Sequence, residues 1–296
     1  MNNYGEVLKK LRKDRNYTLK QISSGEISIS QISRFERGET DLSIGKFIFI
    51  LNKIGITIDE FMVYARDYEK YDVVKMMSKV VKYYYENSIE GFRELIELNQ
   101  NKLKENPDNS LYPLYIILFK GFICKINKTK LSDKDLQKII DHLFVTENWG
   151  ILELQLIGNL YEFFSTKRML YFFDEIFKNY EKYKKSSMHK HLVCITSLNI
   201  FLKLIERNDL KEAEKINKKL RKIVGGETKV YERMILKYGE AFLLYKKGDS
   251  AGVEVMKKII ETFKLLSCDY HAKNYQQHFD EFVKNKFVYM GKNNIS

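Results

Sequence analysis

Ser28-Ile29-Ser30-Gln31-Ile32-Ser33-Arg34-Phe35-Glu36-Arg37-Gly38 opens with a serine followed three residues later by a glutamine, the spacing of a capping box. In that box each side chain accepts a hydrogen bond from the other residue's backbone N–H, so a helix is predicted to begin at Ser28. Ile32 and Phe35 lie three residues apart and turn inward together, which leaves Ser30, Gln31, Ser33 and Arg34 as the outward-facing positions. Thr18 with Gln21 and Thr57 with Glu60 repeat the same spacing on either side. With further helices from about Tyr4 to Arg15 and from about Ser43 to Ile54, the latter closed by Gly55, residues 1–65 read as five short helices.

Val7 and Leu11, Leu19 and Ile22, Ile32 and Phe35, Phe47, Ile50 and Leu51, and Ile58 and Phe61 supply one small core for these helices. Between the second and third helices stands Ser23-Ser-Gly-Glu26, the short glycine-containing connection that a helix-turn-helix requires. The helix from Ser28 is then the one placed to enter the DNA major groove. Arg34 has the fork that grips guanine O6 and N7, and Gln31 can pair in the same way with adenine, besides serving the cap. Arg37, Lys46 and the backbone near Gly38 suit phosphate, which positions the domain without reading sequence. Glu36 carries the wrong sign for DNA and is expected to hold Arg12, Arg34 or Arg37.

The Ser28–Gly38 string resembles the third helix of the XRE-type, phage-repressor-like helix-turn-helix, and its Ser-Gln-Ile-Ser-Arg-Phe-Glu core is similar to that of the Rgg/GadR/MutR regulators of Gram-positive bacteria. The likeness continues through Phe47-Ile-Phe-Ile-Leu-Asn-Lys-Ile-Gly-Ile-Thr-Ile-Asp-Glu-Phe61, with its fourth helix, glycine and fifth helix. One departure is Leu19, where many XRE domains carry a glutamine that touches phosphate.

Charge does not locate the DNA surface. The chain carries a formal net charge of +12, yet residues 1–65 hold ten Lys/Arg against eight Asp/Glu. Nearly all of the excess therefore lies beyond them, where lysine-rich stretches such as 181–185 and 211–222 read as solvated helix faces.

Residues 66–296 carry a longer helical rhythm. Breaks at Asn106-Pro107, Leu131-Ser-Asp133, Asn208-Asp209, Gly225-Gly226 and Gly248-Asp249 divide them into helices at about 68–86, 88–104, 110–126, 133–146, 149–164, 167–184, 188–206, 209–224, 228–246, 250–266 and 269–286. In pairs, their starts at Ser110, Trp149, Met188 and Thr228 recur about every 40 residues, a helix-hairpin repeat. Asn208-Asp-Leu-Lys-Glu-Ala213 resembles the start of a tetratricopeptide second helix, and Gly248-Asp249 stands at the matching turn one repeat later. The fold expected is all-α: a five-helix XRE-type helix-turn-helix domain at 1–65 followed by a tetratricopeptide-like solenoid at 66–296. Stacked hairpins line a concave surface with their first helices, which suits a peptide or partner helix better than bond-breaking chemistry.

Asn159 and Asn199 interrupt apolar runs about one repeat apart on those first helices. An amide both donates and accepts, so a ladder of asparagines can pair with the backbone of an extended peptide, or else serve helix packing. Gln155, Arg233, Lys237 and Glu240 are candidates for the ends or charges of such a ligand. Trp149-Gly-Ile-Leu-Glu-Leu-Gln-Leu-Ile-Gly-Asn159 is similar to a Trp-Gly, Glu, Asn stretch of the Rgg regulators. That resemblance implies a homodimer on operator double-stranded DNA whose repeat domain senses a short, re-imported signalling peptide in quorum sensing. Two copies can read half-sites about 34 Å apart, with the dimer surface expected in the last helices and the 68–86 segment.

Cys124, Cys194 and Cys268 are far apart in apolar surroundings and are expected to be buried, reduced thiols. Cys268, His271 and His278 fit no standard zinc spacing, and neither Walker, G-x-S-x-G nor H-E-x-x-H motifs occur. No cofactor, metal or catalysis is expected, and a cytoplasmic chain without a membrane segment is. A regulator answering to a small metabolite or a protein partner is the alternative, with an enzyme fused to a helix-turn-helix a more distant one.

Overall fold

The computed structural model describes residues 4–65 and 72–284. Among them every regular element is a helix, apart from one isolated antiparallel bridge between Ser24 and Ile27. The chain divides into two compact units, Met1–Val81 and Lys82–Ser296.

The first unit holds α1 (Tyr4–Asp14), α2 (Leu19–Ile22), α3 (Ile29–Glu36), α4 (Ile44–Lys53) and α5 (Ile58–Ala65), and the start of α6 (Asp72–Tyr85). All three capping boxes form, at Thr18, Ser28 and Thr57. The Ser23–Glu26 connection is tight because Ser24 and Ile27 exchange backbone hydrogen bonds of 3.0 and 3.1 Å. Leu8, Leu11, Ile22, Ile32, Phe35, Ile50, Leu51 and Phe61 form the core, with Val7, Leu19 and Phe47 packed against it. Ile58 departs from expectation and is 41% exposed. The core position goes instead to Ile56, whose N–H donates to the Leu51 carbonyl and folds the loop inward. Gly5 lets α1 meet α3 backbone to backbone, since a Cβ there would stand 1.9 Å from the Phe35 carbonyl oxygen.

The second unit continues with α7 (Ile89–Glu105), α8 (Leu111–Ile126), α9 (Asp133–Val145), α10 (Ile151–Leu160), α11 (Thr166–Lys178), α12 (Tyr180–Tyr183), α13 (Ser187–Glu206), α14 (Leu210–Val224), α15 (Val230–Lys246), α16 (Ala251–Leu265) and α17 (Asp269–Phe279). Helices α8, α10, α13 and α15 pack side by side in chain order, and each of α8, α13 and α15 also packs on the next helix of its own hairpin. This is the inner row of a helical-repeat stack. Left-handed residues Lys128, Asn208 and Gly248 turn α8 into α9, α13 into α14 and α15 into α16. The last two stand about 40 residues apart at the Asn-Asp and Gly-Asp pairs, where a positive φ favours Asn or Gly.

Three expected helices end early. The helix expected at 149–164 stops at Leu160 and finishes as a 3₁₀ turn, Tyr161–Phe163. Arg207 donates to the carbonyls of Glu162 and Phe164, drawing the chain off the α-helical path. The helix expected at 167–184 breaks at Asn179, whose side-chain amide occupies the Glu175 carbonyl. That expected at 269–286 gives way to a π-helical turn at Asp280–Lys284. Residues 68–71 of the expected 68–86 helix, and 285–286 of the last one, lie outside the described residues.

Only Cys194 matches the expectation of a buried thiol; Cys124 and Cys268 are half-exposed. The reason is position: Cys124 lies in the last turn of α8 and Cys268 in the link from α16 to α17. Burial pushes the Cys194 thiol up to about 12. No helix among the described residues is long and apolar enough to cross a membrane.

Candidate functional site: the DNA-reading helix and the inner row

Helix α3 is built from its cap. The Ser28 hydroxyl accepts from the Gln31 N–H at 3.2 Å, and Gln31 Oε1 accepts from the Ser28 N–H at 3.4 Å. Lys46 on α4 donates to the same oxygen at 3.4 Å. That oxygen thus accepts two bonds from within the domain.

Ser30, Gln31 and Arg34 are exposed, whereas Ser33 is half-buried. Ser33 is half-buried because its hydroxyl is taken by Arg37 Nη1 at 2.6 Å. Glu36 is buried and pairs with Arg12 of α1 through two hydrogen bonds, 2.6 and 2.7 Å, which selects one of its three possible partners. A different carboxylate reaches the outer face. Gly38, at φ 74, turns the chain back over the end of α3. Glu39 thereby accepts from Arg37 Nη2 at 2.9 Å and stands 3.9 Å from Arg34 Nε. The Arg37 hydrogen bond holds the Glu39 carboxyl below its usual range. Sequence reading missed Glu39; the glycine immediately before it was the available signal.

On the inner row, Asn159 Nδ2 donates to the Gln155 carbonyl one turn back in α10, at 2.8 Å. Asn199 Nδ2 crosses from α13 to the Gly158 carbonyl at 3.2 Å. The structure thus brings Gln155, Asn159 and Asn199 together. Both amide nitrogens serve helix geometry, which is the packing role weighed against a peptide ladder.

Arg233, Lys237 and Glu240 recur at i, i+4 and i+7 and share one face of α15. Glu240 accepts from Arg221 of α14 at 3.0 and 2.8 Å and pairs with Lys237 at 3.4 Å. Arg233 and Lys237 line a shallow groove with Val230 and Ile259. No hydrogen bond or ion pair among the described residues joins this group to the asparagines.

The description "HTH-type transcriptional regulator Rgg, C-terminal domain" matches residues 93–277, and a helix-turn-helix domain matches residues 5–63. The structure is similar to the SHP pheromone receptor Rgg2 of Streptococcus dysgalactiae, with 25% identity, TM-score 0.79, and coverage of 94% of this chain and 100% of that one. A Listeria monocytogenes EGD-e protein described as a transcriptional regulator superposes with TM-score 0.82 at 23% identity, covering 96% of this chain and 98% of its own. PrgX in complex with cCF10 shares the fold with TM-score 0.68 at 13% identity, over 95% and 92% of the two chains. The matched family and the Listeria protein are both described as transcriptional regulators. The Rgg match alone spans more than half of the sequence, and the chain belongs to the Rgg family of helix-turn-helix transcriptional regulators.

Proposed function

We propose that this regulator reads operator DNA with Ser30, Gln31 and Arg34, is steadied on phosphate by Ser33, Arg37 and Lys46, and changes its DNA binding when a short signalling peptide occupies the repeat domain. Residues 1–65 bind DNA, and residues 66–296 sense the peptide and pair two copies into a homodimer in the cytoplasm. The observation that carries this reading is α3 itself: Ile32 and Phe35 are in the core while Ser30, Gln31 and the 55%-exposed Arg34 side chain face outward. The peptide half is supported by likeness over nearly the whole chain to Rgg2, a pheromone receptor. In this reading Gln155, Asn159 and Asn199 meet the backbone of that peptide with the amide atoms that the packing bonds to Gln155 and Gly158 leave over, and Arg233, Lys237 and Glu240 meet its ends or charges.

The test is selection of duplexes from a random pool by the full-length protein, with and without short apolar peptides. Enrichment of a two-fold site with half-sites about one helical turn apart, altered by a peptide that binds saturably and fails on Asn199→Ala, is the expected result. Absence of any enriched sequence overturns the DNA reading, and indifference to every peptide overturns the sensing reading.

A further inference from the structure

The last turn of α8 carries a lysine whose surroundings are incomplete. The Lys125 side chain is only 9% exposed, and its ammonium stands 3.8 Å from Glu162 Oε1, beyond hydrogen-bonding distance. Below it lie the rings of Tyr161, centred 4.8 Å away, and Phe122, 5.8 Å away. None of the side-chain hydrogen bonds formed by the described residues uses the Lys125 ammonium, although its backbone carbonyl accepts from the Lys128 N–H at 3.2 Å. An ammonium has three N–H donors, and here none meets an acceptor of the described residues at hydrogen-bonding distance, Glu162 serving only as an ion-pair partner at 3.8 Å. Burial pulls this lysine below the ordinary range, with Glu162 opposing it.

The neighbouring carboxylate cannot complete the site, because it is committed elsewhere. Glu206 accepts from Lys203 at 2.6 Å and stands 3.5 Å from His278 Nε2. His278 in turn meets the Tyr238 hydroxyl at 2.8 Å through Nδ1. Glu162 is fixed on the 3₁₀ turn, where Arg207 holds the Glu162 and Phe164 carbonyls at 2.9 and 2.8 Å. The cluster reaches solvent at Glu162 and Lys203, whose side chains are 34% and 23% exposed.

Its position supplies the ligand class. Asn199, Lys203 and Glu206 recur at i, i+4 and i+7 on α13, and Glu162 follows Asn159 by three residues. The cluster therefore begins one helical turn, about 5 Å, beyond the asparagine pair, a span that an extended peptide covers in about two residues. We propose that Lys125 is the receiver of a peptide carboxylate, either the C-terminus or an acidic side chain, seated beyond Asn159 and Asn199 and enclosed by Tyr161 and Phe122. The proposal rests on the peptide-sensing reading and adds the chemistry of its ligand. A carboxylate fits because it brings acceptor lone pairs to within hydrogen-bonding distance of an ammonium whose ion-pair partner Glu162 stands 3.8 Å away.

The test uses full-length protein and defined eight-residue apolar peptides in three forms: free C-terminus without acidic residues, amidated C-terminus, and amidated C-terminus with one Asp. N-acetyl-leucine and its amide serve as minimal probes. Calorimetric titration is expected to give at least about tenfold tighter binding for whichever form supplies the carboxylate. Tighter binding of the first form identifies a C-terminus, and of the third a side chain. Lys125→Met, which keeps the apolar stem, is expected to abolish the preference, while Lys125→Arg and Lys203→Met retain it.

Peptides that bind wild type without any preference, or a preference that survives in Lys125→Met, overturn the carboxylate site and leave peptide sensing standing. No peptide binding, with N-acetyl-leucine but not its amide stabilising wild type and not Lys125→Met, overturns peptide sensing and leaves the carboxylate site standing. Silence from every probe removes both.

Discussion

Arg12 and Glu36 face each other as a buried pair, Nε and Nη2 of the arginine donating to the two carboxylate oxygens, while Nη1 donates to the Tyr17 carbonyl at 2.7 Å. The pair ties α1 to the end of α3. Removing one member strands a charge whose side chain is 9% or 3% exposed. Glu36→Ala is therefore expected to cost about 3 kcal/mol, read as faster hydrogen exchange of α1 and α3 amides in the full chain. Arg12→Met with Glu36→Leu is expected to recover most of that loss, because neither charge is then buried alone. A single variant with unchanged exchange contradicts the assignment.

In the proposed reading Arg34 reads a base and Lys46 anchors phosphate, and two variants separate these roles. Arg34→Ala is expected to relax preference at one operator position by roughly 1 to 3 kcal/mol, whereas Lys46→Ala weakens specific and random duplexes alike. Competition binding against single-base operator variants distinguishes them. Equal losses on both kinds of DNA for Arg34→Ala rule out base contact by that residue.

The three thiols are expected to divide by burial. Cys194 is 1% exposed and its pKa is pushed up to about 12, so hardly any thiolate exists near pH 8. Cys124 and Cys268 are half-exposed. A disulfide reagent at that pH is expected to modify two thiols quickly, with the third reacting only after urea unfolding. Three equally fast reactions would place Cys194 at the surface.

Glu206 makes the second unit acid-sensitive. Burial raises its pKa, but His278, 3.5 Å away, and Lys203, which donates at 2.6 Å, outweigh it, and the folded carboxyl is held below the ordinary glutamate range. Stability from this group is complete above the unfolded pKa and is lost as pH falls through the folded one. Thermal melts followed through Trp149, the only tryptophan, are expected to fall more steeply as pH drops below the ordinary glutamate range in wild type than in Glu206→Gln. Parallel curves would deny the group this role.

Local rules made the helices readable. Ser28 with Gln31 and Thr57 with Glu60 are short-range hydrogen-bond patterns, and the Asn208 and Gly248 turns follow from what a positive φ demands. What escaped depends on groups distant in sequence. Arg207 ends α10 by reaching back to Glu162 and Phe164, and no window around either segment contains that contact. Glu36 was recognised as structural, yet only the fold could select Arg12, which lies 24 residues away. The asparagines illustrate a further limit. Their spacing suggested a shared face, but whether an amide points to ligand or to a neighbouring carbonyl depends on how closely α10 and α13 approach. Gly158 sets that approach, a Cβ there falling 2.5 Å from Thr196 Oγ1.

The inner row α8, α10, α13 and α15 has no common centre: each member leans on the one before and the one after. Such an arrangement opens from its ends, as a zipper does, rather than all at once. Amide protection should accordingly be graded along the row, greatest at α13, which is flanked by α10, α11, α14 and α15, and declining toward either end. Hydrogen bonds across the rungs near α13, such as that of Asn199 to Gly158, then belong to the part of the stack that is slowest to unravel.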